Sequence, residues 1–563
     1  MQNFVFKRRG ASVRLLRMPA GCKAMLSLCL LAMPLGLWGA TESARMTIAP
    51  KWGRFEQSFD SDVLYSNALQ DATLTVLFTS PLGETNLVYG FWDGEKNWRV
   101  RFLPSQPGHW TYRTTCSDTS NLGLHNRTGE FLCTAPAGIS SFHLHGPVQA
   151  ARDHHHLEHA DGRPFFWLAD TTWDGLPAAE PMDWEDYALV RAARGFTVIQ
   201  CAVTPGEDAK GQTALDGFPD RIAINPGFFQ QLDAKLEVLT EAGLLGAIAP
   251  LVELEPRQRA SSLSDDQTAL LVRYCVARWG ADPVVWLLAF DGSIPELVNR
   301  WKRIGHAVFE EGRHAPVLVY PGAGIEALEA FRNQNWVDLL GGQPITDFTD
   351  SALERALDGP FFKEWSNTPA RPVIPFLPCE NGLRPRSKQR FSAEEVRKAA
   401  YWSLLLSPPA GLSYAGQGVV AWDRSLPEQK SKVRGGNLPL WTRAMYMPAA
   451  KQMTQVAGFA GGIDFWRLRP EAKTVPAQPG SASPRKFIAA AATETKDLTL
   501  VYDPEERSLS LGVESLPPTP VAAWFDPRSG TSIPIPLVAN GKTCRLTTPQ
   551  AGDWLLILRA GKR

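Results

Sequence analysis

Short apolar runs alternate with amphipathic helical stretches eight times between residues 165 and 414. Continuous apolar strands, each followed by a helix, are typical of a parallel sheet that is covered on both faces. Eight such units across about 250 residues predict an α/β fold, the (β/α)8 TIM barrel. The predicted strands are Phe165–Ala169, Phe196–Gln200, Leu245–Leu251, Val284–Phe290, Val317–Tyr320, Val337–Leu340, Val373–Leu377 and Gly411–Tyr414. The predicted helices include Asp183–Arg194, Pro226–Ala242, Ser264–Trp279, Pro295–Glu310 and Ser392–Leu406.

The segments on either side of the barrel carry a different pattern. Residues 46–140 lack helical periodicity and contain short strand-like runs between turn signals such as Asp93-Gly94, which predicts an immunoglobulin-like β-sandwich. Residues 475–484 are rich in Pro, Ala, Ser and Gly and indicate a linker, after which a second strand series predicts a small terminal β-sandwich. The predicted domains are an export segment at 1–45, the first sandwich at 46–140, the barrel at 141–455 and the second sandwich at 456–563.

The first 45 residues are typical of a bacterial export signal. Six basic residues precede an apolar run at Met25–Leu37, which is long enough for a signal core and short for a membrane span. We therefore expect a periplasmic or secreted protein with no stable membrane span after signal removal, and an uncleaved anchor is the alternative. Lys+Arg and Asp+Glu balance at 58 each, so the chain has no basic footprint for nucleic acid. The sequence does not indicate an oligomeric state.

Cysteine and histidine patterns give weak signals for cross-links and metals. Cys116 and Cys133 flank a turn between two strand-like runs, so a disulfide and two free thiols are both open. The sequence contains no C-x-x-C pair, so a structural zinc site is not indicated. Six of the ten histidines lie between His143 and His159, just before the first barrel strand. Because this segment enters the barrel at its N-terminal end, we interpret the histidines as structural or interdomain residues and predict no metal site.

Polar and aromatic residues follow the ends of the predicted barrel strands, where the active sites of this fold lie. They are Asp170, Trp173, Gln200, Glu253, Glu255, Asp291, Tyr320, Gln343, Glu380, Tyr414, Gln417 and Trp422. No phosphate-binding glycine loop or dinucleotide fingerprint accompanies them, so no cofactor is predicted. The set predicts a polar, aromatic mouth with several carboxylates.

Two of these acids, Asp291 and Glu380, follow the fourth and seventh strands, on opposite sides of the barrel. Glycosidic bond cleavage uses two facing carboxylates, one protonating the leaving oxygen and the other attacking the sugar or activating water. We predict Asp291 as the general acid/base and Glu380 as the nucleophile or the base that activates water. The alternative is that either acid caps a helix or pairs with an arginine.

The other rim residues are predicted to bind the saccharide. Asp170 is expected to bind a sugar hydroxyl, although it could also lie in a turn, and Glu253 is expected to be solvated, as is Glu255. Trp173 and Trp422 follow strand ends and are the predicted faces for sugar rings. Gln200, Tyr320, Gln343, Tyr414 and Gln417 complete the predicted substrate-binding set. Trp286 and Trp402 lie within a strand and a helix, so core packing is expected for both.

Several motifs resemble a known family. GRPFFWLADTTW at residues 162–173 resembles the opening of the apiosidase-like glycoside hydrolases, and RAARGFTVIQ at 191–200 is similar to their second-strand entry. VRKAAYWS at 396–403 and Gly411–Gly416 are similar to their last helix and strand. YGFWDG at 89–94 with PGHWTY at 107–112 resembles the immunoglobulin-like domain often found before this barrel. AWFDPRSG at 523–530 with GDW at 552–554 resembles the small C-terminal domain named for collagen binding.

The resemblance implies a glycoside hydrolase with catalytic acids at Asp291 and Glu380. Two departures accompany it. AFDG at 289–292 stands where the family commonly has a Gly-Gly-Asp-Arg type sequence, and PCEN at 378–381 stands where it has a Gly-Glu-Pro type element. The predicted function is an exported glycoside hydrolase acting on a polysaccharide or branched oligosaccharide. The alternative is a non-catalytic carbohydrate-binding or cell-surface scaffold protein.

Overall fold

The computed structural model describes residues 46–216, 221–254, 263–310, 313–385, 387–407, 410–424, 439–505 and 508–561. The predicted export segment at 1–45 and Glu255 lie outside these ranges. In the described part of the chain, no helix combines the length and apolar character needed to cross a bilayer.

Eight parallel strands form one sheet that closes on itself, which confirms the predicted TIM barrel. They are β1 (Trp167–Thr171), β2 (Val198–Thr204), β3 (Leu245–Glu253), β4 (Val284–Phe290), β5 (Val317–Tyr320), β6 (Leu339–Gly342), β7 (Val373–Pro375) and β8 (Gly411–Ala415). Neighbours follow chain order, β8 pairs with β1, and a parallel bridge between Phe376 and Ser413 closes the gap between β7 and β8.

Helices between the strands cover the outside of the barrel. They are α1 (Pro181–Ala193), α2 (Pro226–Glu241), α3 (Asp265–Trp279), α4 (Pro295–Phe309), α5 (Asp350–Leu357), α6 (Ala393–Leu406) and α7 (Pro448–Gly461). Ser264 and Ser392 form capping boxes that satisfy the first backbone N–H groups of α3 and α6. The predicted domain boundary after residue 455 falls within α7.

Alternate strand residues face two different cores. Trp167, Ala169, Val285 and Leu287 belong to a cluster inside the barrel, whereas Leu168 and Trp286 belong to the larger cluster between strands and helices. Phe142, Val148, Leu157 and Phe165, which precede β1, join the inner cluster. This preceding segment therefore closes the N-terminal end of the barrel, and its histidines bond within it: the Nδ1 of His159 lies 2.8 Å from the carbonyl oxygen of Gly146.

The N-terminal domain is a pair of β-sheets. One sheet has the order Thr47–Pro50, Thr128–Thr134, Gly108–Cys116, Leu74–Thr79, Thr85–Tyr89, and the other has the order Phe55–Asp60, Asn97–Phe102, Phe91–Trp92. Their facing sides enclose a separate core that includes the stacked rings of Phe78 and Phe102, with centroids 4.1 Å apart.

A buried charge network fastens this domain to the barrel. Arg278 of α3 is fully buried, and its guanidinium donates to both carboxylate oxygens of Asp233 at 2.8 Å and to Asp93 at 2.8 Å. Arg101 of the N-terminal domain also donates to Asp233 at 2.8 Å. Because a buried charge without its partner is strongly unfavourable, these pairs hold the two domains in one arrangement.

Cys116 and Cys133 are both free thiols, so the structure excludes the disulfide that the sequence left open. Cys133 lies opposite Gly108 in the strand ladder, and Cys116 is at the other end of that same strand. Eight residues of strand place the two about 26 Å apart, far beyond the reach of a disulfide.

We expect a reducing agent to leave the thermal unfolding of the folded protein unchanged, because no bond between Cys116 and Cys133 exists to reduce. Both thiols are buried, and burial raises the pKa of Cys133 to about 11. They should therefore react with a thiol reagent only after denaturation, as followed by mass spectrometry of alkylated peptides. Recovery of a cross-linked peptide that contains both residues would contradict the fold of this domain.

The C-terminal domain is a second pair of sheets. Its larger sheet has the order Leu468–Pro470, Ala489–Thr493, Leu498–Asp503, Trp554–Ala560, Pro520–Phe525, Ser532–Ile535, and its smaller sheet has the order Ser508–Gly512, Thr543–Thr547, Ala539–Asn540. Arg397 of α6 donates to both carboxylate oxygens of Asp553, at 2.6 and 2.7 Å, and joins this domain to the barrel.

Candidate active site

A buried polar layer lies under the C-terminal mouth of the barrel. The Thr171 hydroxyl donates to Oε1 of Gln200 at 2.7 Å, and Nε2 of Gln200 donates to the Ser413 hydroxyl at 2.9 Å. The indole of Trp167 donates to the same hydroxyl at 3.2 Å. Gln200 has no exposed surface, so the predicted direct contact with a sugar is wrong for this residue. Its amide instead connects β1, β2 and β8 beneath the mouth.

Aromatic side chains lie above this layer. The rings of Tyr320 and Phe376 stack with centroids 3.8 Å apart and an interplanar angle of 8°. Trp173 is partly exposed and packs against the same inner cluster. Burial raises the pKa of Tyr320 above its ordinary value, so its phenol is neutral and can donate or accept a hydrogen bond. Tyr320 and Phe376 are 7% and 6% exposed, so the open aromatic surface comes mainly from Trp173. A flat apolar face beside a few polar groups is suited to the face and hydroxyls of a sugar ring.

Asp291 stands at this mouth, directly after β4. Its backbone N–H donates to the Glu253 carbonyl at 3.1 Å, and its Oδ1 accepts from the backbone N–H and the hydroxyl of Ser293 at 3.0 and 2.5 Å. Its side chain is partly exposed. The N-cap position of the helix α4 is Ile294, three residues after Asp291. The carboxylate is held in a turn and remains at the surface of the mouth.

Asp170 and Glu253 point away from the barrel axis. The Oδ2 atom of Asp170 accepts from the Tyr187 hydroxyl and from Nε of Arg191, both at 2.6 Å, and the carboxyl is fully buried. Glu253 is 1% exposed and lies 3.3 Å from Nε of Arg300 on α4. Burial raises the pKa of both carboxyl groups, partly offset by the arginines. The predictions of a sugar contact at Asp170 and of a solvated Glu253 are therefore wrong.

Glu380 also points outward, and its contacts are those of a helix-capping residue. Its Oε1 accepts from the Ala449 backbone N–H at 2.9 Å, and its Oε2 accepts from the Tyr414 hydroxyl at 2.5 Å and from the Ala450 N–H at 3.3 Å. The side chain is 3% exposed. A carboxylate on the first N–H groups of α7 is favoured by the helix dipole. The geometry thus matches the helix-capping alternative and does not place Glu380 opposite Asp291.

The register between β7 and β8 explains this orientation. The Leu377 N–H donates to the Ser413 carbonyl, and the next donor along, the Glu380 N–H, donates to the Ala415 carbonyl. Between these two bonds the β7 segment advances three residues, from Leu377 to Glu380, whereas β8 advances two, from Ser413 to Ala415. The extra residue is a bulge, and it turns Glu380 from the inner to the outer face of the sheet.

The remaining predicted residues divide between the mouth and the outer core. Tyr414 is fully buried on the outer side beside Phe196, and Trp422 is 3% exposed and stacked on Trp441 with centroids 4.3 Å apart. Neither can contact a sugar at the mouth, so both predictions are wrong. Gln343 and Gln417 are partly exposed. Trp286 and Trp402 are fully buried, as predicted.

Sequence reasoning missed three contributors to the mouth, Thr171, Phe376 and Ser413. Thr171 could have been found, because the alternation that begins at Trp167 places residues 167, 169 and 171 on one face. Phe376 and Ser413 gave no comparable signal, since each was an ordinary member of a predicted apolar strand.

Comparisons with known proteins agree with this fold. Residues 151–467 match the family described as "Apiosidase-like, catalytic domain". Residues 48–117 match a domain family of unknown function, DUF5060, and residues 480–559 match the family described as "Putative collagen-binding domain of a collagenase". No curated protein matches the chain.

Two solved structures illustrate the similarity in fold. One is a glycoside hydrolase with a TM-score of 0.63 and 18% identity, covering 76% of this chain and 99% of the other. The second is a glycoside hydrolase family 5 protein from Bacteroides vulgatus ATCC 8482, with a TM-score of 0.64 and 17% identity, covering 75% of this chain and 95% of the other.

A closed (β/α)8 barrel whose sequence matches an apiosidase-like catalytic domain defines an enzyme of the glycoside hydrolase class. The family match spans more than half of the chain. The chain therefore belongs to the apiosidase-like family, and the resemblance noted in its motifs is confirmed for all three domains.

Proposed function

We propose that this protein is an exported glycoside hydrolase that binds a polysaccharide or branched oligosaccharide across the barrel mouth and uses Asp291 as its proton-transfer group. The observation that carries the proposal is the mouth itself. Asp291, the stacked pair Tyr320–Phe376 and the partly exposed Trp173 lie at the C-terminal ends of strands, where this fold carries out its chemistry.

The role of Asp291 follows from its position. A carboxyl group at the mouth can protonate the leaving oxygen of a glycosidic bond, and its turn with Ser293 fixes one carboxylate oxygen. Because Glu380 is engaged as a cap on α7, we propose that the second carboxylate of the usual mechanism comes from another residue. Asp174, directly after Trp173, and Glu255, two residues beyond the end of β3 in the sequence, are the next candidate acids along the chain. Replacing each with its amide identifies the partner of Asp291.

Export rests on the sequence of residues 1–45, with six basic residues followed by the apolar run Met25–Leu37. A polysaccharide too large to cross a membrane is encountered outside the cytoplasm, which agrees with this signal.

A second function, saccharide binding without turnover, is favoured by one observation. Of the strand-end acids Asp170, Glu253, Asp291 and Glu380, three are buried on the outer side of the barrel. A mouth with a single carboxylate can hold a sugar through its aromatic faces and still lack the second group that hydrolysis normally uses.

One experiment separates the two functions. The purified protein is incubated with a panel of plant and algal glycans, released sugars are measured by chromatography, and binding is measured by calorimetry. Release that is lost in Asp291→Asn supports hydrolysis. Binding without release from any bound glycan supports the second function, and neither binding nor release would contradict both.

We expect Trp173→Ala to weaken binding of a glycan from this panel about fivefold, because the loss of one stacked aromatic face costs roughly 1 kcal/mol. Trp173→Phe keeps a ring at the same position and is the matched control, which should retain most of the affinity. Equal dissociation constants for all three proteins, measured by calorimetry, would show that Trp173 does not contact the sugar.

A further inference from the structure

A cavity of about 340 Å³ lies at the end of the barrel opposite the mouth, between the barrel and the N-terminal domain. One wall is the strand Thr85–Tyr89 of the N-terminal domain, and the opposite wall comes from the end of α3 and from residues that precede β4 to β7. Its volume is in the range of ligand-binding pockets. It plays no part in the proposed hydrolysis.

The strand Thr85–Tyr89 is the open edge of its sheet, since Leu74–Thr79 is its sole partner in the sheet order of the described residues. The Gly90 N–H donates to the Leu74 carbonyl and the Ser80 N–H to the Glu84 carbonyl. In an antiparallel ladder, hydrogen-bonded pairs alternate with non-bonded pairs. Because Gly90 and Glu84 are in bonded pairs, Val88 and Asn86, which lie between them, also bond to the partner strand. The N–H and C=O groups of residues 85, 87 and 89 therefore point away from the sheet, toward the cavity side.

The helix α3 packs against this strand, with Arg273 over the ring of Tyr89, and the part of the edge around Leu87 remains exposed. No hydrogen bond from the described residues reaches the backbone groups of Leu87 or Tyr89, and Leu87 is 51% exposed. Proteins usually protect such an edge with charges, proline or a covering element, because it pairs readily with another extended chain. The wall beyond the edge is apolar: Leu103, Val148, Val276, Val284, Val308 and Pro316 line it.

One end of the cavity carries two arginines, Arg313 and Arg371. His154, His314 and the acid Asp338 line the same end among the described residues. In the described ranges no salt bridge involves Arg313 or Arg371. The Arg371 guanidinium donates to the carbonyls of Arg332 and Gln334, and burial lowers its pKa, an effect that the nearby Asp338 carboxylate partly offsets. The Asp338 Oδ2 also accepts from the Val317 N–H at 2.8 Å. Two arginines therefore face one carboxylate, and this end of the cavity keeps an excess of positive charge.

We propose that this cavity binds an extended acidic peptide segment of a partner protein, which adds as a strand to the edge Thr85–Tyr89 and places a carboxylate against Arg313 and Arg371. Strand addition derives affinity from main-chain hydrogen bonds and specificity from pockets for alternate side chains. An oligosaccharide fits less well, because the aromatic rings that line the cavity are covered: Lys51 lies over Trp52 at 4.0 Å and Arg273 over Tyr89 at 5.2 Å.

The test uses a synthetic library of fluorescent heptapeptides in which apolar residues alternate with glutamate or aspartate, measured by anisotropy against the full-length protein. The decisive variant is Leu87→Pro, which deletes an N–H that points to the open edge and leaves the bonds to Leu74–Thr79 in place. Leu87→Ala, which keeps that N–H, is its matched control. We expect Leu87→Pro to weaken binding at least tenfold and Leu87→Ala to change it less than threefold.

Two further measurements test the charge and the mode of binding. Arg313→Glu should weaken binding of the acidic peptides at least tenfold. It should also remove the preference of the protein for these peptides over lysine-substituted versions. Bound peptide should also slow hydrogen exchange at the Leu87 and Tyr89 amides. The proposal is overturned if no library member binds better than its lysine version, if Leu87→Pro binds as the wild type does, or if digalacturonate binds at this cavity and the peptides do not. If each variant keeps the wild-type unfolding temperature, a loss of binding comes from the substituted position and not from unfolding of the protein.

Discussion

Glu380→Gln is expected to destabilise the barrel by about 2–4 kcal/mol, because hydrogen bonds to a buried charged group are among the stronger ones and unmatched buried donors are costly. The carboxylate accepts from the N–H groups of Ala449 and Ala450 and from the Tyr414 hydroxyl. An amide has one acceptor oxygen for these three donors, and its own NH2 group would face at least one of them. The start of α7 loses its cap as a result.

Calorimetry of the purified variant measures this effect as a lower unfolding temperature. Glu354→Gln, an exposed change on α5, is the matched control and should leave that temperature unchanged. The two interpretations of Glu380 differ sharply here. If Glu380 were a nucleophile at the mouth, the variant would lose turnover with little loss of stability. If Glu380 caps α7, the variant loses stability first. A Glu380→Gln protein that unfolds with the wild type and has no turnover would restore the catalytic interpretation.

The barrel could be predicted from sequence because its signal is repeated and local. Most apolar runs are followed by an amphipathic helix with its own start, as at Pro226 and Pro295, and the observed helices begin at these residues. The strand β5 is the exception, since the 3-10 segment Ile325–Ala330 follows it. The strands β4 and β5 have the predicted bounds. A strand that is buried on both faces shows an apolar run at any position in the sheet. The order of the strands in the barrel then follows their order along the chain.

The direction of the acids could not be predicted in the same way, because it depends on register. Asp170 was accessible to reasoning, since Trp167 and Thr171 fix the inner face and leave residue 170 outside. The outward direction of Glu253 could not be predicted, because an irregularity between Ile248 and Val252 shifts the pairing of β3 with β4. Glu380 lies beyond a similar bulge. One extra residue reverses the side on which a carboxylate lies, and no composition or period reveals it.

The three outward acids share a structural consequence. Asp170 binds α1 through Arg191, Glu253 binds α4 through Arg300, and Glu380 binds the first turn of α7. Each of these strand ends is thereby tied to a helix on the outside of the barrel, and Arg191 reaches Asp170 from the last turn of α1. These contacts support the rim of the mouth, and the proposed chemistry then falls to Asp291 and a further acid.

Asp291→Asn is expected to reduce glycan hydrolysis by about 10²–10⁴-fold, the range that a positioned general acid usually contributes. The amide keeps the size of the side chain and can still accept from Ser293, so the turn after β4 should survive. It cannot deliver a proton to a leaving oxygen. The free energy of unfolding should change by less than about 0.5 kcal/mol, as for most partly exposed positions.

The measurement compares kcat and KM on the best glycan of the panel with kcat on a substrate whose leaving group needs no protonation, such as an aryl glycoside of a strongly acidic phenol. If Asp291 is the acid, the variant loses far more on the natural glycan than on the activated one, because only the first requires proton donation at bond cleavage. Ser293→Ala, which removes one hydrogen bond to the same carboxylate, is the matched control and should cost less than tenfold. Equal losses on both substrates would assign Asp291 to binding or to attack on the sugar, and wild-type turnover would remove it from the mechanism.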